Sequence, residues 1–336
     1  MTQQAETFVV VNYSAARARA AWAHVRGVLS QSEVRFEAHE ARGAGDAQSA
    51  ARAALRAGYG TIAVVGGDGT LGEVVSGFFE PEDARTDTTM AASMTTAPTQ
   101  INARAALAVL PAGTGNDFAR GLEGARASLE RWLERLLRHS RRDEQTTTTT
   151  RAVDVLRGTI GDDARAFFCL NAATLGIGAE VAGRVTAQVD LVRRLPGEAR
   201  FALAALQSLA RWRARRVRVR VDEQEAFECQ TNLIAIANSP YAGGGMMFSP
   251  AARLDDGLLD VVIASQLTRA SLIREMTRIH SGGHVKNPHV RISRGTRVRI
   301  EHLTDGDALA VEADGDVRGH TPLEFRVLAG ALRVVI

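Results

Sequence analysis

The stretch Val64-Val65-Gly66-Gly67-Asp68-Gly69-Thr70-Leu71-Gly72-Glu73-Val74-Val75 decides the reading of this chain. An apolar, strand-like run ends there in a glycine-rich turn that holds one carboxylate and leads into a helix. Such a turn brings backbone N–H groups against phosphates, and Asp68 can face a metal or a hydroxyl. A second glycine turn, Leu110-Pro111-Ala112-Gly113-Thr114-Gly115-Asn116-Asp117-Phe118-Ala119-Arg120-Gly121, follows another apolar run at Ala105 to Leu110. Two strand-turn-helix units of this kind imply one phosphate site.

Outward from these turns, Phe8 to Val11 reads as a buried strand, Asn12-Tyr13-Ser14 as a turn, and Ala15 to Leu29 as a helix. Val34 to Ala38 and Ile62 to Val65 are further strands, with helices at Asp46 to Ala57 and Leu71 to Phe79. The alternation predicts an α/β N-terminal domain with a doubly wound parallel sheet, its ligands at the strands' carboxyl ends. Glu82 to Asn102 and Thr146 to Thr150 read as surface loops. Beyond them, short runs at Ala152–Arg157, Arg165–Asn171, Val217–Val221, Gln230–Ala237, Leu258–Ile263, Thr296–Ile300, Ala308–Glu312 and Glu324–Val327 predict a mainly antiparallel β domain. A helical insertion at about Glu198 to Arg213 interrupts it. The expected organisation is a nucleotide-binding domain over 1–140, a β-sandwich over 151–320, and a last strand over 321–336 returning to the first domain.

A chain of 336 residues, 45% hydrophobic, favours two domains over one. Of its 41 Lys+Arg residues only Lys286 is lysine, so phosphate contacts fall to arginine, backbone amides and hydroxyls. No Walker A sequence is present. Cys169 and Cys229 stand far apart in apolar contexts and read as buried thiols in a reducing cytosol. The polar start Met1 to Thr7 leads into an apolar run too short for a signal or a span. The expected location is the cytoplasm, with membranes touched only from the side.

Phosphoryl transfer needs phosphates held, Mg²⁺ placed by carboxylates, and an acceptor hydroxyl next to a base. Asp68 and Asp117 each sit in a glycine turn, and Asp314-Gly315-Asp316 forms a third acidic turn after the run Ala308 to Glu312. Alone, an Asp-Gly turn is ordinarily a hairpin; its weight comes from the other two.

Gly66-Gly67-Asp68-Gly69-Thr70 together with Leu110 to Arg120 resembles the bacterial diacylglycerol kinase-like lipid kinases, relatives of sphingosine and ceramide kinases. Val153-Asp154-Val155, Asn171 to Gly178, Ala237-Asn238-Ser239 with Gly243-Gly244-Gly245, Asp255-Asp256-Gly257-Leu258-Leu259-Asp260, and Gly283-His284 with Pro288 recur in family order, so the likeness covers nearly the whole chain. It implies a nucleotide domain related to NAD kinase and phosphofructokinase joined to a β-sandwich. ATP would contact Asn12, Gly66, Gly67, Asp68, Gly69, Thr70 and Glu73, with Gly113, Thr114 and Asn116 from the second turn. Asp68, Asp117 and Asp154 would form a water-mediated Mg²⁺ network. Asp256, with the carbonyls of Arg253 and Leu258, would hold a structural Mg²⁺. The family's Asp-Gly-Glu motif falls on Asp314 and Asp316, one of which would be the base. Asp316 stands where the family carries Glu and so reaches about 1.5 Å less far, which strengthens Asp314 as a candidate. Asn12-Tyr13-Ser14 replaces an Asn-Pro-x-Ser-Gly sequence, Gly72 an Asn, and Ala41 a frequent Thr.

The leading expectation is an ATP- and Mg²⁺-dependent kinase of diacylglycerol or a similar lipid, peripheral at the inner membrane face, with a second copy of the chain kept as a candidate partner. NAD kinase shares Gly-Gly-Asp-Gly-Thr but carries an Asn-Glu motif where this chain has Gly113 to Phe118. A non-catalytic nucleotide-binding regulator is the third class. Nucleic acid is disfavoured as a partner by the net charge of +3 and the lack of interleaved aromatics. Three features carry two readings each. Arg193-Arg194 before Pro196 is a solvated helix end or a phosphate clamp. His280, His284 and His289 read as loop residues rather than as a metal site. Phe201 to Arg220 is a core helix running into a solvated strand, or a contact with anionic lipid through Arg211, Arg213, Arg215, Arg216, Arg218 and Arg220.

Overall fold

In the first compact unit of the chain, Met1–Val155 with Leu254–Asp256 and Leu328–Ile336, short apolar strands alternate with helices that bury one stripe each. The structure is a computed structural model describing residues 7–81, 98–126, 128–141, 149–161, 165–188 and 197–336, the side chains of 165, 186 and 197–202 excepted. Arg193, Arg194 and Pro196 therefore lie outside the described residues, as do 82–97, 142–148 and the Phe201 side chain.

The N-terminal elements are β1 (Thr7–Asn12), α1 (Ala16–Gln31), β2 (Phe36–Ala41), α2 (Asp46–Arg56), β3 (Thr61–Gly66), α3 (Asp68–Ser76), β4 (Ala106–Pro111), α4 (Asp117–Glu123), α5 (Leu129–Ser140) and β5 (Thr150–Ile160). Every residue of β3 and β4 is buried, as expected of strands covered on both faces. The sheet runs β4-β3-β1-β2, all parallel. In α1 the buried set Ala18, Trp22, Val25 and Leu29 follows the helical repeat. The sequence reading omitted α5. Its buried set of Trp132, Leu133, Leu136 and His139 follows the helical repeat over two turns, so the signal was present in the sequence.

One boundary bears on the site. The sequence predicts a helix over Leu71 to Phe79, but α3 begins at Asp68, with Gly67 as its cap residue. Asp68 is thus the first residue of a helix and not a free turn carboxylate, while Phe79 forms an isolated bridge with Gln100.

The second unit, Leu156–Arg253 with Gly257–Val327, holds β6 (Arg165–Cys169), β7 (Ala172–Gly176), α6 (Ile177–Thr186), α7 (Gly197–Arg211), β8 (Arg215–Val221), β9 (Phe227–Ala237), β10 (Tyr241–Ala242), β11 (Met246–Met247), β12 (Leu259–Ser265), α8 (Arg269–Arg278), β13 (Val290–Gly295), β14 (Arg297–His302), β15 (Ala310–Ala313) and β16 (Asp316–His320). Its strand pairings are antiparallel. Leu175, Val219, Ile236, Val261, Ile300 and Phe325 share one buried cluster. The final strand, β17 (Leu323–Val335), pairs antiparallel with β14 through Leu323–Arg326, and Arg333 and Val334 pair parallel with Ala106 and Leu107 of β4.

Where the sequence suggests one strand over Arg165–Asn171, there are two, β6 and β7, with a corner at Leu170-Asn171 whose amides are bound by Asp314. The run Arg211 to Arg220 divides cleanly: Val217, Val219 and Val221 are buried in β8 while Arg216, Arg218 and Arg220 alternate outward. On α7, Ala204, Ala205 and Leu209 face the core, whereas Leu206 is 62% exposed and Leu203 sits beside it at 36%. Among the described residues no helix is long and apolar enough to cross a membrane.

Candidate functional site

Parallel register sets Gly66 opposite Pro111, so the two glycine turns leave the sheet side by side, joined by the Ala112 N–H donating to the Gly66 carbonyl at 2.8 Å. The turns then touch through backbone. A Cβ on Gly113 would lie 2.5 Å from the Gly67 Cα, and one on Gly66 would lie 2.9 Å from the Thr70 Cβ. A side chain at Gly113 would push the turns apart, and one at Gly66 would collide within its own turn. Gly69 differs: a Cβ there meets open space, so packing does not demand this glycine. Between the turns lies a crevice of about 10 Å³ lined by Gly66, Gly67, Asp68, Pro111, Asn116 and Ala119.

Asp68 links the two units of the motif. Its Oδ2 accepts the Asp117 N–H and its Oδ1 the Phe118 N–H, each at 3.0 Å. These are the first amides of α4, donors without partners inside the helix, and a carboxylate there also opposes the helix dipole. Asn116, in the left-handed region at φ 51°, folds its side chain onto its own loop, accepting the Gly113 N–H at 2.8 Å and donating to the Gly113 carbonyl at 3.2 Å.

The other expected nucleotide contacts divide. Asn12 donates from Nδ2 to the Thr70 hydroxyl at 2.9 Å, bringing β1 to α3. Thr114 accepts from Arg17 Nη1 at 3.3 Å. Arg17 is a residue that sequence reasoning missed, although in a lysine-poor chain a phosphate contact at this turn was expected to fall to arginine. Glu73 turns elsewhere, accepting the Gly45 N–H at 3.2 Å at the start of α2.

Of the expected metal residues, Asp68 meets Asp117 through the latter's backbone amide. Asp154, 2% exposed, accepts the Gly330 N–H at 2.8 Å and donates its own amide to the Leu254 carbonyl. Arg253, Asp256 and Leu258 stand on one loop, turned by Gly257 at φ 71°, in which Asp255 pairs with Arg151 at 2.6 Å. Among the described residues no group of three His, Cys, Asp or Glu side chains surrounds a point. Mg²⁺ is commonly held by one or two carboxylates, waters and substrate phosphates rather than by a protein cage, a role for which a carboxylate at a glycine turn, such as Asp68, is the chemically suited type.

In the second unit, Asp314 and Gly315, at φ 49° and 97°, form the two-residue turn between β15 and β16, which needs positive φ at both positions. Asp314 accepts the Leu170 N–H at 2.6 Å and the Asn171 N–H at 2.9 Å. The Asn171 carbonyl accepts the amides of Asn238 and Ser239 at 2.8 and 3.0 Å. Three segments far apart in sequence thereby meet. Asp316 is exposed and pairs with Arg318 at 3.3 Å.

Beneath this turn lies Glu312, which sequence reasoning missed because a glutamate in a short alternating strand looks like a solvated one. It is buried, accepts the Thr174 hydroxyl at 2.7 Å, and also holds the Gly315 amide. Burial pushes its carboxyl up to about 7, against those two hydrogen bonds, with the charges of Asp314 and Asp316 adding to the rise. Burial and the carboxylates of Asp314 and Glu312 push the Cys169 thiol well above its ordinary value, as expected of an inert core cysteine.

The chain thus has a parallel α/β unit with two abutting glycine turns, followed by an antiparallel β-rich unit. Residues 6–148 match the diacylglycerol kinase catalytic domain, and residues 174–336 match the YegS C-terminal NAD kinase beta sandwich-like domain. A Mycobacterium tuberculosis diacylglycerol kinase is 30% identical over 312 residues, covering 92% of this chain and 85% of that protein. A Pseudomonas aeruginosa protein named "Probable lipid kinase YegS-like" is 30% identical over 293 residues, 86% of this chain and 81% of its own length. A solved Bacillus anthracis diacylglycerol kinase shares the fold, with TM-score 0.66 and 18% identity over 100% of this chain and 98% of that one. The chain belongs to the diacylglycerol kinase family of lipid kinases.

Proposed function

We propose that this protein transfers the γ-phosphate of ATP, with Mg²⁺, to a hydroxyl of diacylglycerol or a closely similar lipid at the cytoplasmic membrane surface. The observation that carries the reading is the contact of Gly67 with Gly113, closed by Asp68 on the amides of α4. It leaves the start of α3 open at Gly69 for phosphate oxygens to approach backbone donors. Arg17, Thr114 and Asn12 supply side-chain donors at the same edge in a chain that lacks the usual lysine.

When bound, Mg²⁺ neutralises charge on the transferring phosphoryl group. Asp68, with Asp117 and Asp154 contributing negative charge, would hold this ion, and the Asp256 loop with the Arg253 and Leu258 carbonyls would hold a structural one. Asp316 takes the proton from the lipid hydroxyl as its oxygen attacks the γ-phosphorus and the bond to the β-phosphate oxygen breaks, releasing ADP. Asp314, its oxygens engaged with the Leu170 and Asn171 amides, positions the turn. Leu203 and Leu206 beside Arg211 and Arg213 support contact with an anionic surface.

Radiolabel transfer from ATP to a panel of lipids in mixed micelles, with NAD as a parallel acceptor, tests the reading. Mg²⁺-dependent labelling of a lipid is expected; labelling of NAD and of no lipid overturns it.

A further inference from the structure

In the second unit, α8 and the segment leading into β13 enclose an open-sided cavity of about 410 Å³. Its wall carries Thr268, Ser271, Arg274, Arg278, Lys286 and His289, and among the described residues no acidic side chain lines it. The charges are held from behind by Glu275, which is 6% exposed. Its Oε1 accepts Asn287 Nδ2 at 2.9 Å, Arg274 Nε at 3.3 Å and Arg278 Nη1 at 3.4 Å. Burial pushes this carboxyl up, but the Asn287 hydrogen bond and the two guanidiniums outweigh it and hold it below its ordinary value.

One buried carboxylate thus orients two arginines, and three cations stand against that single negative charge. Each guanidinium has five N–H donors, so most remain available. The Lys286 ammonium is exposed and has no acidic partner among the described residues. In a chain whose cationic residues are otherwise all arginine, the one lysine lines this cavity, supplying a compact point charge where a planar fork is not used. At one end, Thr268 caps α8 by accepting the Ser271 N–H at 3.2 Å, adding hydroxyls and the helix's positive end.

We propose that this cavity is a second anion site, distinct from the nucleotide turns, that binds a phosphate group carried on a small organic moiety. Three cations and two hydroxyls match a dianion with three acceptor oxygens better than a single carboxylate. The volume exceeds that of a bare ion and falls in the range of small-ligand sites. A soluble phosphomonoester and a phospholipid headgroup present the same group, and the test separates them.

The full chain is titrated with glycerol 3-phosphate by calorimetry, and sedimented with phosphatidylcholine vesicles with and without phosphatidic acid. The parent, Lys286→Gln, Arg274→Gln and Arg17→Gln are compared. Lys286→Gln removes a surface charge without orphaning Glu275, and its melting curve should match the parent's. Binding in at least one arm, weakened about threefold to tenfold by Lys286→Gln and by Arg274→Gln, is expected for loss of one charge-assisted hydrogen bond. An effect confined to calorimetry identifies a soluble phosphomonoester, and one confined to phosphatidic acid vesicles a headgroup. The proposal is overturned if the parent binds neither probe, if both cavity variants bind as the parent does, or if only Arg17→Gln weakens binding, which returns the phosphate to the glycine turns.

Discussion

Replacing Glu312 by Gln should reverse the pH dependence that this buried carboxyl imposes on the second unit. Its rise from 4.5 to about 7 corresponds to about 3 kcal/mol in favour of the neutral form. Between those two values the folded chain keeps a proton that the unfolded chain has released, so stability falls as pH rises. The contribution is fully present below pH 4.5 and is lost as pH passes 7. Gln is neutral throughout and keeps an acceptor for the Thr174 hydroxyl or the Gly315 amide. The groups facing Glu312, namely Asp314, Asp316 and Cys169, with Arg318 near Cys169, are present in both proteins, so their own titration largely cancels in the difference. The variant should equal the parent in stability near pH 4.5 and exceed it by about 3 kcal/mol at pH 8, a large share of the 5–15 kcal/mol typical of a domain. Urea unfolding of both proteins at four pH values from 4.5 to 8 measures this directly. Curves that stay parallel to within about 0.5 kcal/mol, or a parent that gains on the variant as pH rises, would refute the reasoning.

Gly113→Ala should destabilise the first unit by about 1–3 kcal/mol and weaken ATP binding, because its Cβ would reach 2.5 Å from the Gly67 Cα; thermal melting and nucleotide titration check it. Asp316→Asn should lower kcat by about 10² to 10⁴ while leaving ATP affinity nearly unchanged, and equal loss of both would reassign the residue to nucleotide or metal binding. Sedimentation with phosphatidylglycerol vesicles should weaken as salt rises, and charge reversal at Arg213 and Arg215 should remove about 1 kcal/mol of attraction each, screened over about 8 Å at physiological salt. Vesicle binding indifferent to both would leave α7 and β8 as a core helix and a solvated strand.

The sequence by itself determined the kind of fold and the kinds of chemistry. Contiguous apolar runs such as Ile62–Val65 and Ala105–Leu110, alternating with helical segments, read as strands covered on both faces, and two glycine turns at the ends of such strands point to the edge where this sheet type takes its ligands. Local patterns of this sort depend on residues a few positions apart, so they survive in one dimension. The partners of the polar groups did not. Asp68 reads as a turn carboxylate, yet it spans 49 and 50 residues to close the amides of α4. Glu312 meets Thr174 across 138 residues, and Glu275 gathers cations from α8 while Lys286 approaches from the following loop. A carboxylate's proton affinity and availability are set by desolvation and by donors within a few ångströms. Those donors come from wherever packing delivers them, and the tertiary structure alone decides which they are.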